Sequence, residues 1–156
     1  MHHRQILRGL LVVFCLIPMV GNAQTGEQPF FEIAEFASLD FGAVLNESGR
    51  VTLPLLGESI IDPSSIHLGG FYGLGVYRIK GDPFASFVLE VIPFGGRGLR
   101  LVNMQTSAGN GGFLPVQLDE SGQLEINIGG SLEVDPQKVQ TGVNQPLQFV
   151  ISVTWE

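Results

Sequence analysis

Apolar residues fall at every second position in short runs along most of this chain, and the runs are closed off by Gly, Pro, Asn, Asp or Ser. Val51, Leu53 and Leu55 alternate in RVTLPLL, Val76 and Ile79 lie in VYRIK, and Ala85, Phe87, Leu89 and Val91 alternate in ASFVLEV. Leu99, Leu101 and Asn103 follow in LRLVN, Leu124, Ile126 and Ile128 in LEINI, and Leu132 and Val134 in LEV. The longest series is Leu147, Phe149, Ile151, Val153 and Trp155 in LQFVISVTWE, where only Glu156 follows. A period of two puts successive side chains on opposite faces of a strand, and no stretch after the first 23 residues keeps the 3.6-residue period of a helix. The intervening NESG, KGDP, FGGRG, SAGNGG, DESG and VDPQ are turn sequences, in which Gly accepts positive φ and Pro presets φ.

Strands that are apolar on one side only need a second layer, and two such sheets bury their apolar faces against each other. The pattern therefore predicts an all-β, antiparallel β-sandwich of about eight to ten strands, with a closed barrel as the alternative. No internal repeat of 20 to 50 residues and no Ser/Pro-rich linker divides the chain.

The N-terminal residues read differently. Arg4 and Arg8 precede an apolar run from Leu10 to Val20, and Gly21-Asn22-Ala23 supplies small residues two apart. These are the positive region, apolar region and cleavage site of a signal peptide, expected to be cut after Ala23. The apolar run is shorter than the roughly 20 residues that span a bilayer, and Pro18 interrupts it. Cys15 would suit lipid attachment only with a small residue before it, and Phe14 stands there. The expected organisation is a signal peptide over residues 1–23, a tail over 24–30, and one sandwich domain over 31–156, with no membrane span after cleavage and a periplasmic, cell-surface or secreted destination.

Cleavage changes what chemistry is available. Cys15 is the one cysteine, so the mature chain forms no internal disulfide and rests on its own core, which about 130 residues can supply. Arg4 and Arg8 leave as well, so six basic residues face fifteen acidic ones, a net charge of −9. Nucleic acid and anionic membranes are poor partners for such a surface. His67 becomes the sole histidine, too few for a zinc site, and a serine triad would have to be assembled around it in the short SSIHL segment. Asp119 and Glu120 in LDESGQL lack the alternating ligands of an EF-hand and read as a hairpin turn with Gly122 at positive φ. GGFYGLG lacks the order and following helix of a phosphate cradle and reads as a loop exposing Phe71 and Tyr72. Arg97 and Arg100 flank a second Gly-rich loop and could hold a carboxylate or a glycan. Asn46-Glu47-Ser48 fits the glycosylation sequon, and equally an ordinary turn. No catalytic, metal or cofactor-binding residue emerges.

Several strings, in order, are similar to an exported bacterial family known as domain of unknown function four-four-zero-two. They are ASLDFGAVL, GRVTLPLLG, YRIKGDPFASFVLEV, INIGGSLEV and GVNQPLQFVISVTWE, the most specific being Leu39-Asp40-Phe41-Gly42 and Ile128-Gly129-Gly130-Ser131-Leu132. That family resembles chaperone–usher pilins and spore-coat-U proteins, which implies an immunoglobulin-like, pilin-like fold and a strand completed by a partner. Trp155 matches the penultimate aromatic of a pilin, and Gly142 lies one place from the expected glycine. A donor extension is poorly represented, since QTGEQPFFEIAEF places only Phe31 and Ile33 in register before Glu35.

The expectation is a non-enzymatic structural or assembly protein, a pilin-like or surface-coat subunit. It would act through strand pairing at Phe149, Ile151, Val153 and Trp155 or through lateral packing, with a periplasmic chaperone or like subunits as partners. The alternative is a self-sufficient secreted binding module for a glycan or protein, using the loops at Phe71, Tyr72, Arg97 and Arg100. What pairs the terminal strand, the segment around Phe31 to Phe36 or another chain, is left for the structure.

Overall fold

The computed structural model describes residues 30–56, 59–109, 115–140 and 147–155. The expected signal peptide, all of the tail but Phe30, and Gly142 lie outside them. Ten strands occur in the order β1 Phe31–Ala37, β2 Ala43–Val44, β3 Gly49–Leu53, β4 His67–Gly69, β5 Gly75–Gly81, β6 Ser86–Phe94, β7 Leu99–Thr106, β8 Pro115–Gln117, β9 Gln123–Val134 and β10 Gln148–Trp155. The described residues contain no helix. All strand pairs are antiparallel.

β9 is the spine of the larger sheet. Its two halves have different neighbours on one edge: Gln123–Ile128 pair with β5, and Gly130–Val134 pair with β3. On the opposite edge β7 pairs from Ile128 to Val134, and β1 joins outside β5. The smaller sheet runs β10-β6-β8, and β2 with β4 forms a two-stranded ribbon. The alternation of LEINI and LEV thus belongs to one twelve-residue strand rather than two. Gly129 and Gly130 keep it continuous because the neighbouring chains come close. A Cβ at Gly129 would lie 2.5 Å from the Leu53 carbonyl oxygen, and one at Gly130 would lie 2.8 Å from Met104 Sδ. Thr52 and Ser131, opposite each other, share a 2.8 Å hydroxyl hydrogen bond.

The two sheets face each other across one cluster of buried side chains drawn from both. Tyr77 of β5 meets Phe149 of β10 edge-on at 5.8 Å, and Phe31 of β1 meets Phe87 of β6 at 4.9 Å. Such pairs add roughly 0.5–1.5 kcal/mol each beyond the area they bury. The result is an all-β architecture of packed antiparallel sheets, as the alternation requires.

In several places tertiary packing overrides the simple pattern. Val76 faces outward, and the inward residues of β5 are Gly75, Tyr77 and Ile79, because Ile79 and Val76 differ in parity. Asn103 does not continue the core face of β7; it sits at φ 51° in a bulge that resets the register with β9. Leu55 lies beyond the end of β3. Asp119–Gly122 is a turn with Gly122 at φ 70°, yet it joins β8 and β9 in different sheets and so is not a hairpin. The Leu39-Asp40-Phe41-Gly42 string also has a packing role. Leu39 and Phe41 enter the core, Asp40 Oδ1 accepts the Gly42 N–H at 2.8 Å, and Gly42 takes φ 71°.

Candidate functional site

β10 is the first candidate, and its register with β6 is unbroken from Gln148↔Phe94 to Trp155↔Phe87. Antiparallel pairing puts Phe149 and Ile151 on the core side, where they are 2 % and 1 % exposed, with Val153 half-buried against the same cluster. Gln148, Val150, Ser152 and Thr154 point the other way, opposite Phe94, Ile92, Glu90 and Val88. Among the described residues, no strand pairs with the second edge of β10. The segment around Phe31 to Phe36 is not its neighbour: β1 pairs with β5, from Phe31↔Gly81 to Ala37↔Val76.

The open edges of β1 and β10 differ in chemistry. β1 carries Glu32 and Glu35 and is broken by a bulge between Glu35 and Ala37, both devices that discourage a further strand. β10 has no bulge, no proline and no charged residue between Gln148 and Trp155. Its outer face continues into an apolar surface of Val150, Ile92 and Phe94, of which Ile92 and Phe94 are exposed.

The predicted contact loops fare unevenly. Phe71 is 81 % exposed, but Tyr72 turns inward, packs against the core and stacks edge-on with His67 at 5.5 Å. The loop therefore presents one aromatic rather than two. His67 Nε2 is enclosed without a hydrogen bond, against Gly42, where a Cβ would come within 2.9 Å. Its backbone N–H donates to Asp62 Oδ2 at 2.6 Å, a structural role.

Arg97 and Arg100 line one shallow hollow of about 460 Å³ with Asp135 and Lys138. Arg97 (φ 50°) and Gly98 (φ 82°) form the two central residues of a tight turn between Gly96 and Leu99, which exchange backbone hydrogen bonds of 3.0 Å. Positive φ at both central positions is the type I′ geometry. Arg100 is already engaged. Its guanidinium and that of Arg50 both bond Glu133, so that β7, β9 and β3 are tied by an Arg–Glu–Arg row across three strands. A loop ligand would compete with that carboxylate for Arg100.

The two arginines, Arg100 first and Arg50 second, hold the Glu133 carboxyl below its ordinary range. Asp119, through the Ser121 hydroxyl, and Asp135, through Lys138, are lowered as well. A carboxyl depressed in the folded state adds stability above its unfolded pKa and loses it as pH falls through its folded pKa. Glu133→Gln should therefore be less stable than the wild type at pH 7, by at most about 1 kcal/mol for so open a row. The difference should begin to shrink as pH falls through the ordinary glutamate range near about pH 4, and should vanish only below the lowered folded pKa. Urea midpoints at pH 7, 5 and 3 check this, and a constant difference would count against it.

The sequence does not show a further open hollow of about 650 Å³, formed where the β5–β6 turn meets the β8–β9 turn. Arg78, Phe84, Gln117, Asp119, Gln123 and Glu125 contribute to its walls. The KGDP and DESG punctuation marked both turns, but nothing in one sequence says that turns 35 residues apart will touch. No family model, curated protein or solved structure matches the chain.

Proposed function

We propose that this protein is a non-enzymatic, exported structural or assembly subunit that associates with like subunits by adding strands at the outer edge of β10. The observation that supports this reading is the contrast between the open edges of β1 and β10. Natural edge strands are usually blunted by charge, proline or a bulge, and β1 follows that rule while β10 does not. An eight-residue, uncharged strand with no neighbour on its second edge among the described residues, and with Val150 beside the exposed Ile92 and Phe94, is a template for another strand, whose main-chain bonds supply the affinity.

Phe149 and Ile151 are buried by the chain's own second sheet, so the added strand extends a finished sheet rather than filling a vacant core position. Like-subunit pairing then needs no catalytic group and tolerates an acidic chain, because β10 itself is uncharged. A periplasmic chaperone is the other partner such an edge would accept during export.

The test is the mass of the exported protein against concentration. The wild type should associate in the micromolar range. Val150→Lys with Thr154→Lys, both on the outer face, should weaken association at least tenfold while leaving thermal unfolding unchanged. A wild type that sediments as a monomer at several hundred micromolar overturns the proposal.

A further inference from the structure

The cavity between the β5–β6 and β8–β9 turns is independent of the β10 edge, and one residue in it is out of keeping with its backbone. Phe84 has φ 61°, in the left-handed region that glycine enters without strain, and its side chain is 60 % exposed. Neither burial nor local backbone preference accounts for a phenylalanine there.

Its neighbours hold it in place. The Phe84 N–H donates to the Asp119 carbonyl at 3.3 Å, and the Phe84 carbonyl accepts from Gln117 Nε2 at 2.9 Å. The two turns are further joined by Gly81 N–H to the Gly122 carbonyl at 2.9 Å and Leu118 N–H to the Ala85 carbonyl at 3.0 Å. The ring is thus carried on a backbone fixed from both sides. An outlier maintained by its surroundings is a reason to look for function.

The polar groups around the ring are similarly fixed. Asp119 Oδ1 accepts three hydrogen bonds, from the Ser121 N–H, the Ser121 hydroxyl and the Gln123 N–H, all between 2.7 and 2.8 Å. Arg78 Nη2 donates to Glu125 Oε2 at 3.1 Å, and its guanidinium lies 4.3 Å from the centre of the Phe36 ring. An exposed aromatic residue therefore lines a hollow whose other walls carry planar carboxylate, amide and guanidinium groups.

We propose that this cavity binds a neutral saccharide, with a pyranose stacked on Phe84 and its hydroxyls hydrogen-bonded by Asp119, Gln123 and the Arg78–Glu125 pair. A sugar ring has an apolar C–H face and a rim of hydroxyls that are both donors and acceptors, which suits an aromatic plate ringed by planar polar groups. The volume is within the usual range of small-ligand sites, roughly 300–1,000 Å³. Two carboxylates and one guanidinium line the cavity, so anionic sugars and phosphates are disfavoured. A basic peptide fits less well, because Arg78 neutralises Glu125 and a single ring does not make a cation cage.

The experiment is a titration of the full exported chain, followed by amide NMR, with chitotetraose, cellotetraose, maltotetraose and, separately, pentalysine. At least one saccharide should shift resonances confined to residues 78–84 and 117–125, with millimolar or tighter affinity. Phe84→Gly should unfold at the same temperature as the wild type or higher and bind at least tenfold more weakly, while Phe84→Tyr keeps the affinity. Shifts with pentalysine alone, with none of the probes, or unchanged by Phe84→Gly overturn the proposal. Association through β10 is read in the same samples by sedimentation, so failure of either assignment is visible without the other.

Discussion

Ile151→Asp is expected to unfold the protein at room temperature. Ile151 is 1 % exposed, opposite Val91 in the unbroken β10–β6 register, in the same cluster as Phe149 and Phe87. Truncating such a side chain already costs roughly 2–5 kcal/mol through lost burial and the cavity left behind. The aspartate adds a carboxylate that must either be buried without a partner or be protonated far above its usual pKa, several kcal/mol more. Domains of this size have about 5–15 kcal/mol in total, so the variant should lose its cooperative transition. Thr154→Asp, on the exposed face of the same strand, should change stability by no more than about 0.5 kcal/mol. Circular dichroism melts of the two variants decide the assignment of faces. Equal melting temperatures would mean that β10 does not present Ile151 to the core.

Gly122→Ala should be strongly destabilising. Gly122 lies at φ 70°, and an added Cβ would fall 2.2 Å from the carbonyl oxygen of Gly81. That oxygen is backbone and cannot swing aside, as the end of a flexible side chain would. The same glycine's carbonyl accepts the Gly81 N–H, so any shift that relieves the clash also breaks the bond joining the two turns. Strain from φ alone is about 1–2 kcal/mol, and displacement of the turn brings the expected loss to roughly 3 kcal/mol. Gly96→Ala is the control, since a Cβ there meets nothing within 4 Å and φ is not positive, and it should be neutral or slightly stabilising. Chemical denaturation of both checks the prediction; similar midpoints would show that the turns are not in contact.

Much of the sheet structure was legible because alternation is a local property with a direct physical meaning. Parity alone places Phe87, Leu89, Leu99, Leu101, Ile126, Ile128, Leu132, Val134, Phe149 and Ile151 in the core, and all are buried. Where parity was ambiguous the reading slipped, as at Val76 beside Tyr77, because a tyrosine has both an apolar body and a polar tip. The bulge at Asn103 was not visible either. By parity Asn103 continues the face of Leu99 and Leu101, and only the register with β9 shows the bulge.

The functional regions were less legible for a different reason. Phe71 and Tyr72 look equivalent as neighbours in a glycine-rich loop, yet one faces solvent and the other packs beside His67. Phe84 lies between the KGDP turn and the ASFVLEV strand with no sequence signal of its own, and its significance comes from φ and from contacts with residues around position 119, neither of which one sequence displays. In the sequence the Arg100 side chain reads as available for a ligand, but Glu133 lies opposite it across the strand pair and holds it.

By itself the sequence determined the all-β class and the inward faces of most strands. Those are consequences of period-two burial and turn chemistry, which act over a few residues. Only the tertiary structure decided that β9 serves as one long spine, that β1 pairs with β5 and not β10, and that two distant turns meet around an open hollow. Those depend on which strand edges meet, and antiparallel backbone hydrogen bonding is nearly indifferent to the sequence of its partner. Pairing order is therefore set by the fit of the whole core rather than by any strand alone.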